Sequence, residues 1–192
     1  MSVNDVLISI RPEWCAKIIN GEKVIEVRKT KPKLDTPFKC YIYCTKPKRK
    51  GANLYRYCWG GTTQSAEITH TKLSGKVIGE FVCDEIIEAK CGEYCLLPPQ
   101  KTQIDAIDLC NYADGKTIYG LSISNLVIYD EPKGLSEFYT ECCPYLHNKT
   151  CYNNELCAYQ EYNEHGDIKP CVKEVKRPPQ SWCYLFNREV QE

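Results

Sequence analysis

The chain has 192 residues, 43% of them apolar, and its 25 Lys and Arg balance 25 Asp and Glu. That length suits one domain with insertions and can bury a core without disulfides, and no apolar run reaches the roughly 18 residues of a membrane span. The opening MSVNDVLISIRPEW lacks the basic region and long apolar stretch of a signal peptide, so a cytoplasmic protein is expected, whose 14 cysteines stay reduced and act as core residues, metal ligands or reactive thiols.

Val6–Ile10 is an apolar run of strand length. Pro12 follows, well placed for a first helical position, and Trp14, Cys15, Ile18 and Ile19 recur at helical spacing up to Asn20. Gly21 ends that helix as a glycine just past its terminus should. Lys23–Arg28 reads as a strand with Glu26 and Arg28 on one face. Lys39–Cys44 is aromatic and β-rich, and Lys76–Cys83 is a further strand that can run on to Ile87. Gln103–Ala113 is weakly amphipathic. Tyr119–Tyr129 holds the longest β-pattern, Gly134–Tyr139 suits one turn of helix, and Ser181–Phe186 is a closing strand. Residues 47–75 and 140–175 read as insertions, the first basic and aromatic, the second rich in cysteine. The sum is a single domain over residues 1–192, α+β and mainly β: a small barrel of about six strands with two or three short helices.

The stretch Gly21-Glu22-Lys23-Val24-Ile25-Glu26-Val27-Arg28 fits the pattern GxKxxExR, with a strand and a short helix just before it. Later pieces are GKVIGEF, SISNLVIYDEPKGLSEF and RPPQSWCYL. In these residues the chain resembles the ASCH family, a branch of the PUA-like superfamily, over most of residues 5–139 and 177–186. The resemblance implies a PUA-like barrel with a cleft beside the helix and the signature strand. It implies RNA or nucleotide binding, or a small hydrolase acting on acetylated cytidine and related amides, or a ribonuclease. Fold membership alone does not choose among these.

Lys23, Glu26 and Arg28 are the candidate ligand-binding residues, with Lys23 and Glu26 the catalytic pair of any enzyme. A lysine beside a carboxylate can bind phosphate or, if desolvated, act as a general base. Glu26 can accept from a cytosine-like amino group, and Arg28 can orient Glu26 or clamp an anion. In relatives resembling acetylcytidine hydrolases, a threonine proposed as the nucleophile stands where this chain has Glu26. An amidohydrolase here would have to work through a water activated by Lys23 or Glu26. Arg11, Trp14 and Ser181 are supporting ligand contacts: Trp14 can stack a base or serve the core, and Ser181 can face the cleft or bond its own turn.

Charge is unevenly spread. Residues 1–75 hold 14 Lys and Arg against 6 Asp and Glu, and Arg28 to Lys50 holds nine basic residues and only Asp35 as an acid. In the first insertion Lys46, Lys48, Arg49, Lys50 and Arg56 alternate with Tyr55, Tyr57 and Trp59, a pattern suited to single-stranded RNA or to a solvated surface. In the second, Cys142, Cys143, Cys151, Cys157 and Cys171 cluster with His147 and His165. Their spacing is irregular, but a structural zinc would supply what so little apolar material cannot. Cys91 and Cys95 read as structural, and Cys15, Cys40, Cys44, Cys83 and Cys183 as small core residues. Three functions follow: an RNA- or nucleotide-binding module, a small hydrolase or ribonuclease on modified nucleosides, or a zinc-stabilised protein-interaction adaptor.

Overall fold

The structure is a computed structural model that describes residues 5–47, 53–60, 67–90, 97–141 and 172–186. In chain order its elements are β1 (Asp5–Ile10), α1 (Pro12–Ile19), β2 (Ile25–Arg28), β3 (Phe38–Cys44), β4 (Tyr55–Gly60), β5 (Glu67–Lys72), β6 (Lys76–Cys83), β7 (Ile86–Lys90), α2 (Pro99–Thr102), α3 (Ala106–Ala113), β8 (Thr117–Ser122), β9 (Ser124–Lys133), a 3-10 turn (Leu135–Glu137), β10 (Tyr139–Glu141), β11 (Val172–Glu174) and β12 (Trp182–Leu185).

The largest sheet runs β12-β1-β3-β6-β9, and a second runs β2-β8-β7. β1 and β3 pair in parallel, so the chain must cross over between them, and α1 and β2 occupy that crossover. The remaining strand pairs are antiparallel. The α+β, mainly β class holds, but the sheets are open and do not close into the expected barrel.

β1 explains its own apolar run. Val6, Ile8 and Ile10 enter the main core with Cys40, Ile42, Cys44, Ile78 and Phe81. Leu7 points the other way and packs with Tyr43, Val77, Phe138, Val175 and Leu185. A strand buried on both faces loses the polar alternation of a half-exposed one. A third cluster, Val27, Ala89, Leu97, Leu109, Ala113 and Ile118, belongs to the second sheet and α3. Cys15, Cys40, Cys44 and Cys83 are buried in the main core as free thiols, and Cys183 is half-buried against the other face.

Two expected strands divide because the chain turns from one sheet to the other. β6 ends at Cys83 and β7 restarts at Ile86, while β8 ends at Ser122 and β9 restarts at Ser124. The Ser122 hydroxyl staples both corners, accepting from the Asp84 and Glu85 amides at 3.0 and 2.9 Å. Gly79 lets β6 and β9 approach: a Cβ there would lie 2.2 Å from the Val127 carbonyl oxygen. The first insertion contains a hairpin, β4–β5, that shows no periodicity in the sequence. Its base is tied down by Leu73, which is buried, and by the Leu54 amide donating to the Ser74 hydroxyl at 2.8 Å. The ends of the second insertion pair as β10–β11.

Candidate functional site

The site starts from how α1 stops. Asn20 and Gly21 donate back to Ala16 and Ile18, Gly21 adopts φ 74°, and the Glu22 and Lys23 amides both return to the Lys17 carbonyl. Only a residue free of a Cβ takes that left-handed turn at no steric cost. The tight return drops Lys23 beneath the helix just before β2 begins.

There Lys23 is 1% exposed. Its ammonium donates to the Thr102 carbonyl at 2.7 Å, lies 3.5 Å from Glu26 Oε2 and sits 5.2 Å from the centre of the Trp14 ring. Thr102 is the last residue of α2, a single turn with its own unsatisfied carbonyls. The Val24 amide fastens the same region by donating to the Lys101 carbonyl at 2.9 Å. Burial lowers the Lys23 pKa, and the Glu26 carboxylate pulls it back up.

Glu26, 6% exposed, holds two cations: Lys23 on Oε2 and Arg28 Nη2 on Oε1 at 3.0 Å. Arg28 Nη2 also donates to the Ser9 carbonyl at 2.5 Å, which ties the second sheet to the first. Val27, on the opposite face of β2, enters the third cluster, so strand alternation alone sends Glu26 and Arg28 between the sheets. Ser9 is a junction: its amide donates to the Ser181 carbonyl at 2.9 Å and its hydroxyl to the Pro179 carbonyl at 2.7 Å. The backbone at Ser181 is thus one residue from the anchor of Arg28, and Ser181 itself is half-buried.

Arg28 is not fully satisfied. Its Nε is buried without a hydrogen-bond partner among the described residues. Such a donor is costly to leave unmade, by about 1–3 kcal/mol, and marks a place for an acceptor. Tyr112 of α3 lies close enough to feel Arg28, Glu26 and Arg11. Burial raises its hydroxyl pKa, while the charge of Arg28 acts against the rise. Arg11 itself is exposed at the head of α1, 3.9 Å from Glu13. Trp14 is half-buried against the main core, with Lys17 and Lys23 each 5.2 Å from its ring centre.

Lys23, Glu26 and Arg28 therefore form one linked cluster, with Trp14 against it and Ser181 one bond-step away. Lys23 and Glu26 are enclosed and committed to each other, so the group with donors to spare is Arg28. Of the basic insertion, Lys46 packs its stem beside Gly75 and Tyr55 opens β4. Arg56 and Tyr57 lie on the β4 backbone, and Lys48, Arg49 and Lys50 fall outside the described residues. So do Cys142, Cys143, Cys151, Cys157 and Cys171, both histidines near them, Cys91 and Cys95. Among the described residues no group of three or more His, Cys, Asp or Glu is placed to hold a metal. None of the described helices is long and apolar enough to cross a membrane.

Sequence reading misses Ser9, Thr102 and Tyr112. Ser9 looks like one more residue of a core strand. Tyr112 is a lone aromatic in a weak helix. Only Thr102 had a signal, the Pro98-Pro99 pair that opens α2.

No protein-family model matches the sequence, and no curated protein is significantly similar to it. Solved structures do match. The crystal structure of ASCH from Zymomonas mobilis has a TM-score of 0.55 at 15% identity, over 96% of this chain and 90% of that one. A tyrosine-to-phenylalanine variant of the same protein gives 0.54 at 14% identity, over 95% and 91%. A serine-to-alanine variant gives 0.52 at 14%, over 96% and 89%. The chain has an α+β, mainly β fold of the ASCH type. At this identity the likeness is one of fold.

Proposed function

We propose that the chain is an RNA- or nucleotide-binding module whose ligand is gripped by Arg28. The observation that carries this is the buried, unpartnered Nε of Arg28. Its neighbour Nη2 is fixed by Glu26 and Ser9, so the guanidinium is held in place before any ligand arrives. With Nη2 taken, the buried donor left over is the single Nε–H, which suits one phosphate oxygen or one acceptor atom of a base once the groups covering it move aside. Arg11 adds an exposed positive charge and Tyr112 an aromatic face nearby. Lys23 and Glu26 act here as positioning residues: they hold Arg28 and need not touch the ligand.

The test is binding of cytidine monophosphate and of a short oligouridylate, followed by calorimetry and by fluorescence anisotropy. Arg28→Ala is expected to weaken both by at least about tenfold, the loss of one charge-assisted pair. Arg28→Lys should recover only part, because a point charge cannot reproduce the fork. Unchanged binding in Arg28→Ala would end the proposal.

One observation favours a hydrolase as the second reading: burial lowers the pKa of Lys23, as a general base requires. Against it, Lys23 donates to Thr102 and Glu26 and has little contact with solvent. Turnover of acetylated cytidine that vanishes in Lys23→Met, with the fold intact, would establish this reading over the first.

A further inference from the structure

The segment after β2 has a construction of its own. Lys29, Lys31 and Lys33 are exposed, whereas Pro32 is buried and Leu34 packs against the main core. Irregular backbone is held at two points by β12. Trp182 Nε1 donates to Thr30, 3.1 Å from the hydroxyl and 3.3 Å from the carbonyl. The Lys33 amide donates to the Tyr184 hydroxyl at 2.8 Å. Trp182 and Tyr184 brace each other edge to face, with ring centres 5.2 Å apart. A loop pinned this way presents its lysines from a fixed backbone, at less ordering cost on binding than a free loop would incur.

The lysines also come with aromatic faces. Lys29 Nζ lies 4.9 Å from the centre of the Tyr112 ring and Lys31 Nζ 5.1 Å from that of Tyr119. From Arg28 to Lys33 there are four cations and no acid in the chain. Glu26 holds Arg28; Lys31 pairs with Glu88 at 3.3 Å, and both of those partners are about half exposed, so solvent weakens that pair. Tyr112 joins this loop to the Arg28 cluster, because it touches the field of both.

We infer that residues 29–33 form a phosphate track that leads away from Arg28, and that the ligand is a single strand of RNA longer than one nucleotide. The inference rests on the reading of Arg28 above. Arg28 takes one nucleotide, Lys29 and Tyr112 mark the passage, and Lys31 and Lys33 meet the phosphates that follow. Cations that track phosphates, with ring faces that stack unpaired bases, are the two elements of single-strand recognition.

The experiment compares wild type, the double variant Lys31→Gln with Lys33→Gln, and Arg28→Ala. Each is titrated with cytidine monophosphate and with oligouridylate of about ten nucleotides, a length within single-strand site sizes, across a salt series. The double variant should bind the oligonucleotide at least about tenfold more weakly at low salt, with the log–log salt slope reduced by roughly 1.4 for two lost phosphate contacts. Its affinity for the mononucleotide should be unchanged, whereas Arg28→Ala loses both. Wild-type affinity and slope in the double variant would overturn the track and leave the Arg28 reading standing. No binding of either probe by wild type would overturn the Arg28 reading itself. Loss of binding to anionic phosphatidylserine vesicles without loss of RNA binding would make the lysines a lipid surface and overturn the track.

Discussion

Glu26 neutralises two buried or half-buried cations at once, and that sets the consequence of removing it. Glu26→Ala leaves Lys23 and Arg28 facing each other without their shared carboxylate. Breaking a buried pair from one side costs about 3–5 kcal/mol, because the remaining charge stays desolvated. The urea midpoint should fall accordingly, and Glu26→Gln, which keeps the shape and loses the charge, should fall nearly as far. A change within the usual surface range of about 0.5 kcal/mol would mean that the cluster does not organise the site. The thiols make a second residue-scale prediction. Burial pushes Cys83 and Cys183 each to about 11 from an ordinary 9.0, and raises Cys40 well above it. A thiol whose folded pKa is raised contributes stability that is complete below pH 9 and is lost as the pH climbs towards 11, since the unfolded chain releases its proton first. Lys23 works in the opposite direction: its folded pKa is lowered, so the folded state is relieved as pH rises towards 10.5. With Cys15, Cys40, Cys83 and Cys183 raised against Lys23 and Cys44 lowered, denaturant midpoints should drop between pH 9 and 11. Cys83→Ala should flatten that drop. A flat profile in wild type would show that the thiols do not titrate with unfolding.

Elements were legible in the sequence where local pattern and tertiary demand agree. α1 reads from Pro12 to its glycine stop, because cap chemistry and apolar spacing point the same way. β1, β3 and β12 read from continuous or alternating apolar residues. The corners did not read. The Tyr119–Tyr129 pattern is β throughout, yet the chain changes sheet at Ile123, and the cue is only a serine and Asn125 at φ 46°. The hairpin β4–β5 escaped because its sequence is polar and basic without alternation, so pairing between strands has no signature along either one. The candidate site divides in the same way. Lys23, Glu26 and Arg28 fall within one eight-residue stretch, and a turn plus strand alternation brings them together. Ser9, Thr102 and Tyr112 arrive from other elements, and only sheet packing determines that they meet. The open sheets have the same origin: strand count is visible in a sequence, but whether the end strands pair with each other is not.

At the scale of the whole molecule the two sheets rest on cores of unequal strength. β1 and β3 lie at the centre of the five-stranded sheet, and β1 is buried at all six residues. The second sheet with α3 has its own smaller cluster, and Arg28 and Val24 fasten its β2 edge by hydrogen bonds to Ser9 and Lys101. Smaller cores open first, in contiguous cooperative units. Amides of β7, β8 and α3 should therefore exchange hydrogen together, at a lower free energy than those of β1 and β3. Two substitutions separate this from uniform unfolding. Ile42→Val removes one methylene from the main core, costing about 0.5–1.5 kcal/mol. If the second sheet opens alone, that change lowers protection in β1 and β3 more than in β7, β8 and α3, because among the buried members of the cluster around Ile42 only Leu121 of β8 leaves with the second sheet. Leu109→Ala, a fully buried position in the smaller cluster, costs about 2–5 kcal/mol. It should lower protection in both groups, because Leu109 is lost in the partial and the global opening alike. An equal response of both groups to Ile42→Val would make the molecule a single cooperative unit. The unequal response would place Arg28, Tyr112 and the lysine loop on the seam between a rigid sheet and one that opens, where a bound strand would join the two.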